Sequence, residues 1–132
     1  MGAQQSVPSQ LEECVDYART RKQFGQPIGK FQAVADKVAD MYLRVEAARL
    51  LIYQTAWLGQ QGKSVLAEAA AAKLFTSEAW IQSSLDAIQL HGAYGYMKES
   101  GIERDLRDAV AGTIYSGTSE IQRVILARML GL

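Results

Sequence analysis

With 132 residues the chain is long enough for one domain with a real core and too short for two ordinary ones. Ala is abundant, Pro is confined to Pro8 and Pro27, and helix formers dominate, so the class indicated is all-α. Lys plus Arg and Asp plus Glu balance at 14 each, without the basic excess that a nucleic-acid binder carries.

No apolar run approaches the ~20 residues that span a bilayer. Met1 to Gln10 lacks the charged-then-apolar pattern of a secretory signal and is expected to be a disordered tail or a truncation point. The single cysteine, Cys14, excludes an intramolecular disulfide and fits a reducing compartment. A cytoplasmic location follows as the expectation, with Cys14 as a small core residue on the first helix.

The first helix is expected from near Ser9 to about Arg21, with Leu11, Cys14, Val15 and Ala18 on one side and Glu12 and Glu13 near its start. It gives way to a loop, Phe24-Gly25-Gln26-Pro27-Ile28-Gly29, marked by its Gly and Pro content. A long second helix is predicted from about Phe31 to Gln60. Its apolar face holds Val34, Val38, Met41, Tyr42, Val45, Ala48, Leu51 and Ile52, closed by Trp57 and Leu58. Gly59 and Gly62 mark its stop. The third helix runs from about Ser64 to Leu90. Its Ala-rich start permits close helix approach, and Leu74, Phe75, Ile81, Leu85 and Ile88 extend its apolar face. A short helical piece follows over about Ile102–Ala109, and a last helix from about Thr118 to Leu130. Long helices with short connections indicate an antiparallel, up-and-down four-helix bundle over residues 11–132, with a short extra helix before the last long one.

Three stretches carry candidate chemistry. At the end of the first helix, Arg21 has two readings. A basic side chain there suits the helix dipole, and a guanidinium there can also grip a phosphate through its planar fork of donors. Gln89-Leu90-His91-Gly92 ends the third helix. Its His has no second His or Cys at ligand spacing, so no metal site is expected. At Tyr115-Ser116-Gly117-Thr118-Ser119-Glu120-Ile121-Gln122-Arg123 a loop turns into the last helix. Gly117 allows the turn, Thr118 or Ser119 can cap, and the helix start can hold an anion or a polarised oxygen. Arg104, Arg107 and Asp108 read as a surface ion-pair network.

Taken in order, these segments resemble the C-terminal domain of acyl-CoA dehydrogenases. The stretch Tyr17-Ala-Arg-Thr-Arg-Lys-Gln-Phe-Gly-Gln-Pro-Ile-Gly-Lys-Phe-Gln32 is similar to its opening. Gln89-Leu-His-Gly-Ala-Tyr-Gly-Tyr96 and Arg104-Asp-Leu-Arg-Asp108 resemble its two middle signatures, and Ile114 to Arg123 its closing one. The resemblance implies flavoenzymes that remove two hydrogens from an acyl-CoA, a carboxylate taking the α-proton and FAD the β-hydride. It implies that Arg21 and Gln32 contact the FAD of a neighbouring subunit. Gln89, Leu90, His91, Gly92 and Ala93 match the loop along its adenosine part. Thr118, Ser119 and Glu120 match the segment that lines the flavin, and Gly117 the glycine beside the substrate.

Two departures bear on activity. Many members carry the catalytic Glu directly before Gly-Thr, and here that position is Ser116, whose hydroxyl cannot take an α-proton without a partner base. Other branches place the Glu on an earlier helix, which would fall upstream of residue 11, and Met1 to Gln10 holds no Asp or Glu. The resemblance does not extend to the family's N-terminal helical and middle β-domains, and Ala93 replaces the second Gly of the usual His-Gly-Gly. The expectation is therefore a C-terminal domain, as fragment or separate subunit, that supplies FAD contacts and oligomerisation. Alone it is expected to be inactive and to hold FAD weakly or not at all. A homodimer or tetramer is expected, with the missing domains or a partner subunit, and an acyl thioester as substrate of the full enzyme. The alternative is a non-catalytic helical-bundle interaction module that kept the fold and lost the chemistry.

Overall fold

A computed structural model describes residues 7–132, and the first six positions of the expected tail lie outside the described residues. Helix α1 spans Val7–Thr20 and so begins two residues before Ser9. Pro8 falls in its first turn, where the missing N–H costs nothing. Gln10, assigned from sequence to the tail, is helical and buried. The segment read as a plain loop contains a small antiparallel hairpin, β1 (Lys22–Gln23) against β2 (Gln26–Pro27). Phe24 and Gly25 form its two-residue turn, both at positive φ (52° and 80°). A single 3-10 turn over Ile28–Lys30 leads into α2, Gln32–Gln60. Gly59 stays within α2. Gly62, at φ 72°, is the residue that stops it, and the Lys63 N–H closes the end on the Leu58 carbonyl.

Helix α3, Leu66–His91, is the hub, packing against α1, α2, α5 and α6. The residues it buries are mostly small: Ala70, Ala72, Ser77, Ala79, Ser83, Ser84 and Ala87, with Leu90 and His91 at its end. Small side chains let several helices approach one axis closely. Phe75 and Leu85, assigned from sequence to its apolar face, are instead exposed. Against α3, α2 runs antiparallel: Arg44 and Lys37 of α2 both reach Asp86 near the end of α3, at 2.7 and 3.5 Å.

Helix α4 (Ala93–Tyr96) is one turn, followed by a 3-10 turn at Lys98–Ser100. Helix α5 (Ile102–Gly112) lies along α3, with Gly112 beside Ser77 and Trp80 and Asp105 joined through Gln10 to Ser84. The short helix expected as an insert is thus an antiparallel leg of the packing. On its outer side Arg107 pairs with Glu103 at 2.9 Å. The last helix, α6 (Ser119–Met129), crosses the middle of α3, where Arg123 pairs with Glu78 at 2.6 Å. The all-α class holds throughout.

The main core lies between α1, α2 and α3: Cys14, Ala18, Ile28, Met41, Ala87, Leu90 and, from α5, Ile102. On α2, Met41 and Val45 are buried, but Tyr42, Ile52 and Trp57, read from sequence as part of that face, are exposed. They join Leu43, Leu50 and Tyr53 in an uncovered apolar surface. No described helix is long and apolar enough to cross a membrane.

One polar cluster sits inside. The Gln10 amide donates to Ser84 Oγ at 3.2 Å and to Asp105 Oδ2 at 3.3 Å, tying α1, α3 and α5 together. Burial pushes the Asp105 carboxyl up to about 6, Glu13 adds to the rise, and Arg104 and the Gln10 bond oppose it. Burial likewise pushes the Cys14 thiol up to about 12, which makes it an inert core group. Because the folded pKa of Asp105 lies above its ordinary value of 3.8, the folded state binds the extra proton between the two values. Stability from this group is then full below pH ~4 and lost as pH rises through about 6. Asp105→Asn keeps an acceptor for Gln10 and removes the charge. Thermal melts are expected to show the variant gaining on the parent as pH rises from 4 to 7; a difference constant across that range contradicts the assignment.

Candidate functional site

The sequence-predicted residues separate into two places along α3. The first lies where α1 and α3 end side by side. Tyr17, Arg21, His91, Ala93 and Tyr94 line a recess of roughly 320 Å³. The Arg21 backbone is held at both ends: its N–H donates to Tyr17 O and its carbonyl accepts from the Ile28 N–H, each at 2.8 Å. Its guanidinium is exposed and forms no ion pair among the described residues. His91 is buried, and its Nδ1 lies 2.8 Å from the Ala87 carbonyl. A carbonyl only accepts, so Nδ1 carries a proton and faces the helix backbone, which leaves Nε2 as the ring nitrogen without a bond to that carbonyl. The Tyr17 ring packs on His91 at 4.1 Å between centroids, and Tyr94 lies parallel to Tyr17 at 6.3 Å. The recess thus combines flat aromatic walls with one exposed cation.

Two glycines shape this corner. Gly92, at φ 62° and ψ −139°, turns the chain out of α3 in a conformation that side chains disfavour. Gly95 is needed for space: a Cβ there would stand 2.8 Å from His91 Cβ and 2.9 Å from the Ile88 carbonyl oxygen. Of the other residues predicted for this region, Leu90 is buried in the core, and Gln89 and Gln32 are exposed outside the recess lining.

The second place is the start of α6. Thr118, Ser119 and Glu120 line a recess of roughly 340 Å³ with Glu78, Ile81, Thr113 and Ile114. Thr118 is the N-cap, its hydroxyl accepting from the Ile121 N–H at 3.3 Å. Ser119 is buried and its Oγ has no partner among the described residues. The Glu120 carboxyl is held below the usual range by its own backbone N–H, then by the Thr118 hydroxyl and the charges of Arg123 and Lys73. A carboxylate so stabilised is a weak proton acceptor. Just before the helix, Ser116 and Gly117 both adopt positive φ, 57° and 86°. Lys73 Nζ donates to the Gly117 carbonyl at 2.6 Å, and the Gln122 amide donates to the Ser116 carbonyl at 3.1 Å. Sequence reasoning missed Tyr17, Tyr94, Lys73 and Gln122. Three of them lie inside the quoted motifs, while Lys73 sits in the Ala-rich run, where nothing local marks it.

Ile81 and His91 are ten residues apart on α3, about 15 Å at helical rise, so the two recesses are separate. The geometry defines an all-helical domain whose central helix presents an aromatic-cationic recess at its end and a capped helix start at its middle. Residues 1–131 match the family model described as acyl-CoA dehydrogenase, C-terminal domain. The chain belongs to this family. It is 50% identical over 120 residues to an acyl-CoA dehydrogenase of Bacillus subtilis (strain 168), a match covering 91% of this chain and 32% of that protein. The solved prolyl acyl carrier protein oxidase AnaB superposes with a TM-score of 0.93 at 53% identity, over 96% of this chain and 33% of the other. The FAD complex of PigA superposes with a TM-score of 0.93 at 43% identity, also over 96% and 33%. The chain therefore spans about a third of the length of these relatives.

Gly95→Ala tests whether close backbone approach builds the first recess. Its methyl must displace backbone as well as the His91 stem, and overpacking of that kind costs about 1–3 kcal/mol. Urea unfolding is expected to show that loss; a variant as stable as the parent contradicts the packing described.

Proposed function

We propose that the chain supplies the cofactor contacts and part of the oligomer contacts of an FAD-dependent acyl-thioester dehydrogenase. The observation that carries this reading is the convergence of Arg21 with His91, Ala93, Tyr17 and Tyr94 on one recess from distant points in the chain. The donor set fits a flavin dinucleotide. An exposed guanidinium suits a diphosphate, and stacked aromatic rings suit a flat heterocycle. At the start of α6, the buried and unpartnered Ser119 hydroxyl suits a second polar part of such a ligand. By family resemblance, Arg21, Gln32 and Gln89 to Ala93 would serve the FAD of a neighbouring subunit, and Thr118, Ser119 and Glu120 the flavin end. When bound, FAD supplies the acceptor for the β-hydride.

The chain's own groups bind and orient; none at the α6 turn is built to remove the α-proton. Ser116 is exposed and carries a hydroxyl, Glu120 is held ionised, and Glu78 is paired with Arg123. The base belongs outside this set, in the remaining two thirds that the relatives possess. The substrate is an acyl thioester, on CoA or on a carrier protein. The exposed Tyr42, Leu43, Leu50, Tyr53 and Trp57 of α2 form a patch that drives association with a second copy or with the parts that the longer relatives possess, in the cytoplasm. The Ser116 substitution also supports a second reading, a family-derived interaction module without catalysis, which retains the association and lacks the cofactor contacts.

Flavin retention separates the two. In a complete enzyme carrying this chain, Arg21→Ala is expected to weaken FAD binding about tenfold or more, the effect of removing a charge-assisted contact. Unchanged flavin content and affinity would favour the interaction module. The isolated chain is expected to bind little FAD and to lack dehydrogenase activity; yellow, active material from the 132 residues alone overturns the division of labour. Sedimentation at about ten micromolar or above is expected to show a dimer or tetramer, and a clean monomer contradicts the role given to the α2 patch.

A further inference from the structure

The turn before α6 is more heavily braced than a helix cap requires. Ser116 at φ 57° is strained for a residue with a side chain, and Gly117 at φ 86° follows directly. A Cβ at Gly117 would stand 2.7 Å from Gln122 Nε2, so the glycine also makes room for its own brace. Two side chains hold the turn from opposite directions. Gln122, buried on α6, donates to the carbonyls of Ser116 and Gly117 at 3.1 and 3.4 Å. Lys73, from α3, donates to the Gly117 carbonyl at 2.6 Å across 44 positions of sequence. A polar amide would meet that carbonyl's need as well as an ammonium does. The ammonium adds a charge, and among the described residues no carboxylate pairs with it.

That charge arrives where others are already arranged. The first turn of α6 already spends its N–H groups, Ser119's on the Thr113 carbonyl, Glu120's on its own carboxyl and Ile121's on the Thr118 hydroxyl, while the buried Ser119 Oγ lacks a partner beside the recess. The charged groups facing Glu120 are Arg123 on its own helix and Lys73 from α3, while Glu78 of α3 neutralises Arg123 at 2.6 Å. Lys73 is therefore the cation of this corner that has no close ion pair among the described residues and is set against Glu120 at longer range.

We propose that Lys73 is a positioning residue of the α6 site: it locks the Ser116–Gly117 turn and sets its cation against the Glu120 carboxylate, so that the recess beside the unpartnered Ser119 hydroxyl keeps one shape for a bound polar ligand. What that ligand is rests on the reading of the preceding subsection. The action of Lys73 on the turn and on the local potential does not.

The test uses the 132-residue chain without flavin, so that its failure is distinct from failure of the cofactor reading. The Ser119 N–H bonds to the Thr113 carbonyl at 2.9 Å across the turn and reports whether the turn is closed. In Lys73→Met, NMR is expected to show exchange of the Ser119 amide about tenfold faster, with α2 amides unchanged. The Glu120 carboxyl midpoint is expected to move up, since one of the charges holding it down is gone. Lys73→Arg is expected to restore both. If the Met variant fails to fold, Lys73→Gln keeps a polar donor without the charge and is expected to raise the Glu120 midpoint in the same way. An unmoved Glu120 midpoint, an unaltered Ser119 amide, acceleration spread evenly along the chain, or failure of Arg to rescue overturns the proposal.

Discussion

The rest of the structure depends on how closely other helices approach α3. A helix that buries large side chains on one stripe can serve one or two neighbours at ordinary separations. Helix α3 serves four, and it does so because Ala and Ser occupy its buried positions from Ala70 to Ala87. Burying small residues gives little hydrophobic free energy per residue. The binding of the layers comes instead from the larger side chains that neighbours bring against it, such as Met41 and Ile102, and from polar ties. The tie of Arg44 and Lys37 to Asp86 fixes α2 in register, and the Gln10 amide between Ser84 and Asp105 fixes α1 and α5. The same close approach sets the functional geometry. Gly95 packs on the end of α3 tightly enough to exclude a methyl group, which brings Tyr94 toward Tyr17 and His91.

The helical class and the approximate element limits are legible in the sequence because the caps and stops are local. Gly62 and the helix-forming composition each act over a few residues, and the structure uses them nearly as the pattern implies. The buried faces were less legible. Periodicity assigns large apolar residues inward, so Tyr42, Ile52, Trp57, Phe75 and Leu85 were placed on core faces although the structure leaves them exposed. On α3 the rule fails because the positions turned to its four neighbours carry Ala and Ser, while Phe75 and Leu85 share an exposed stripe with Gln82 and Gln89. On α2 it fails because apolar residues occupy more of the surface than this chain can cover. The hairpin at Lys22–Pro27 was missed for a different reason. Its turn places Phe24 at positive φ, an unusual residue for that conformation, so the local signal was half erased.

The candidate site was legible as motifs but not as geometry. Arg21, His91 and Ala93 were read from separate segments, and their meeting in one recess depends on α1 and α3 ending at the same level. The walls of that recess, Tyr17 and Tyr94, stood inside the quoted motifs without being singled out, because an aromatic residue in a helix is ordinarily core. Gln32 and Gln89 remain outside the recess lining in this chain. Residues that serve a ligand held across an interface need not line a cavity within one protomer, and both side chains are exposed.

The turn before α6 shows most directly how fold and chemistry are joined. Its two left-handed residues cost conformational energy that a plain connection between α5 and α6 has no need to incur. Three groups offset that cost: the Lys73 ammonium, the Gln122 amide and the Thr113 carbonyl that accepts from Ser119. Their combined effect is to hold one peptide group in a fixed direction beside the recess at the start of α6. A side chain at position 116 then projects from a rigid platform, whatever its identity. In this chain it is a serine hydroxyl, so the platform presents geometry and potential without a proton acceptor. The domain accordingly contributes orientation at this point and no proton acceptor of its own at position 116.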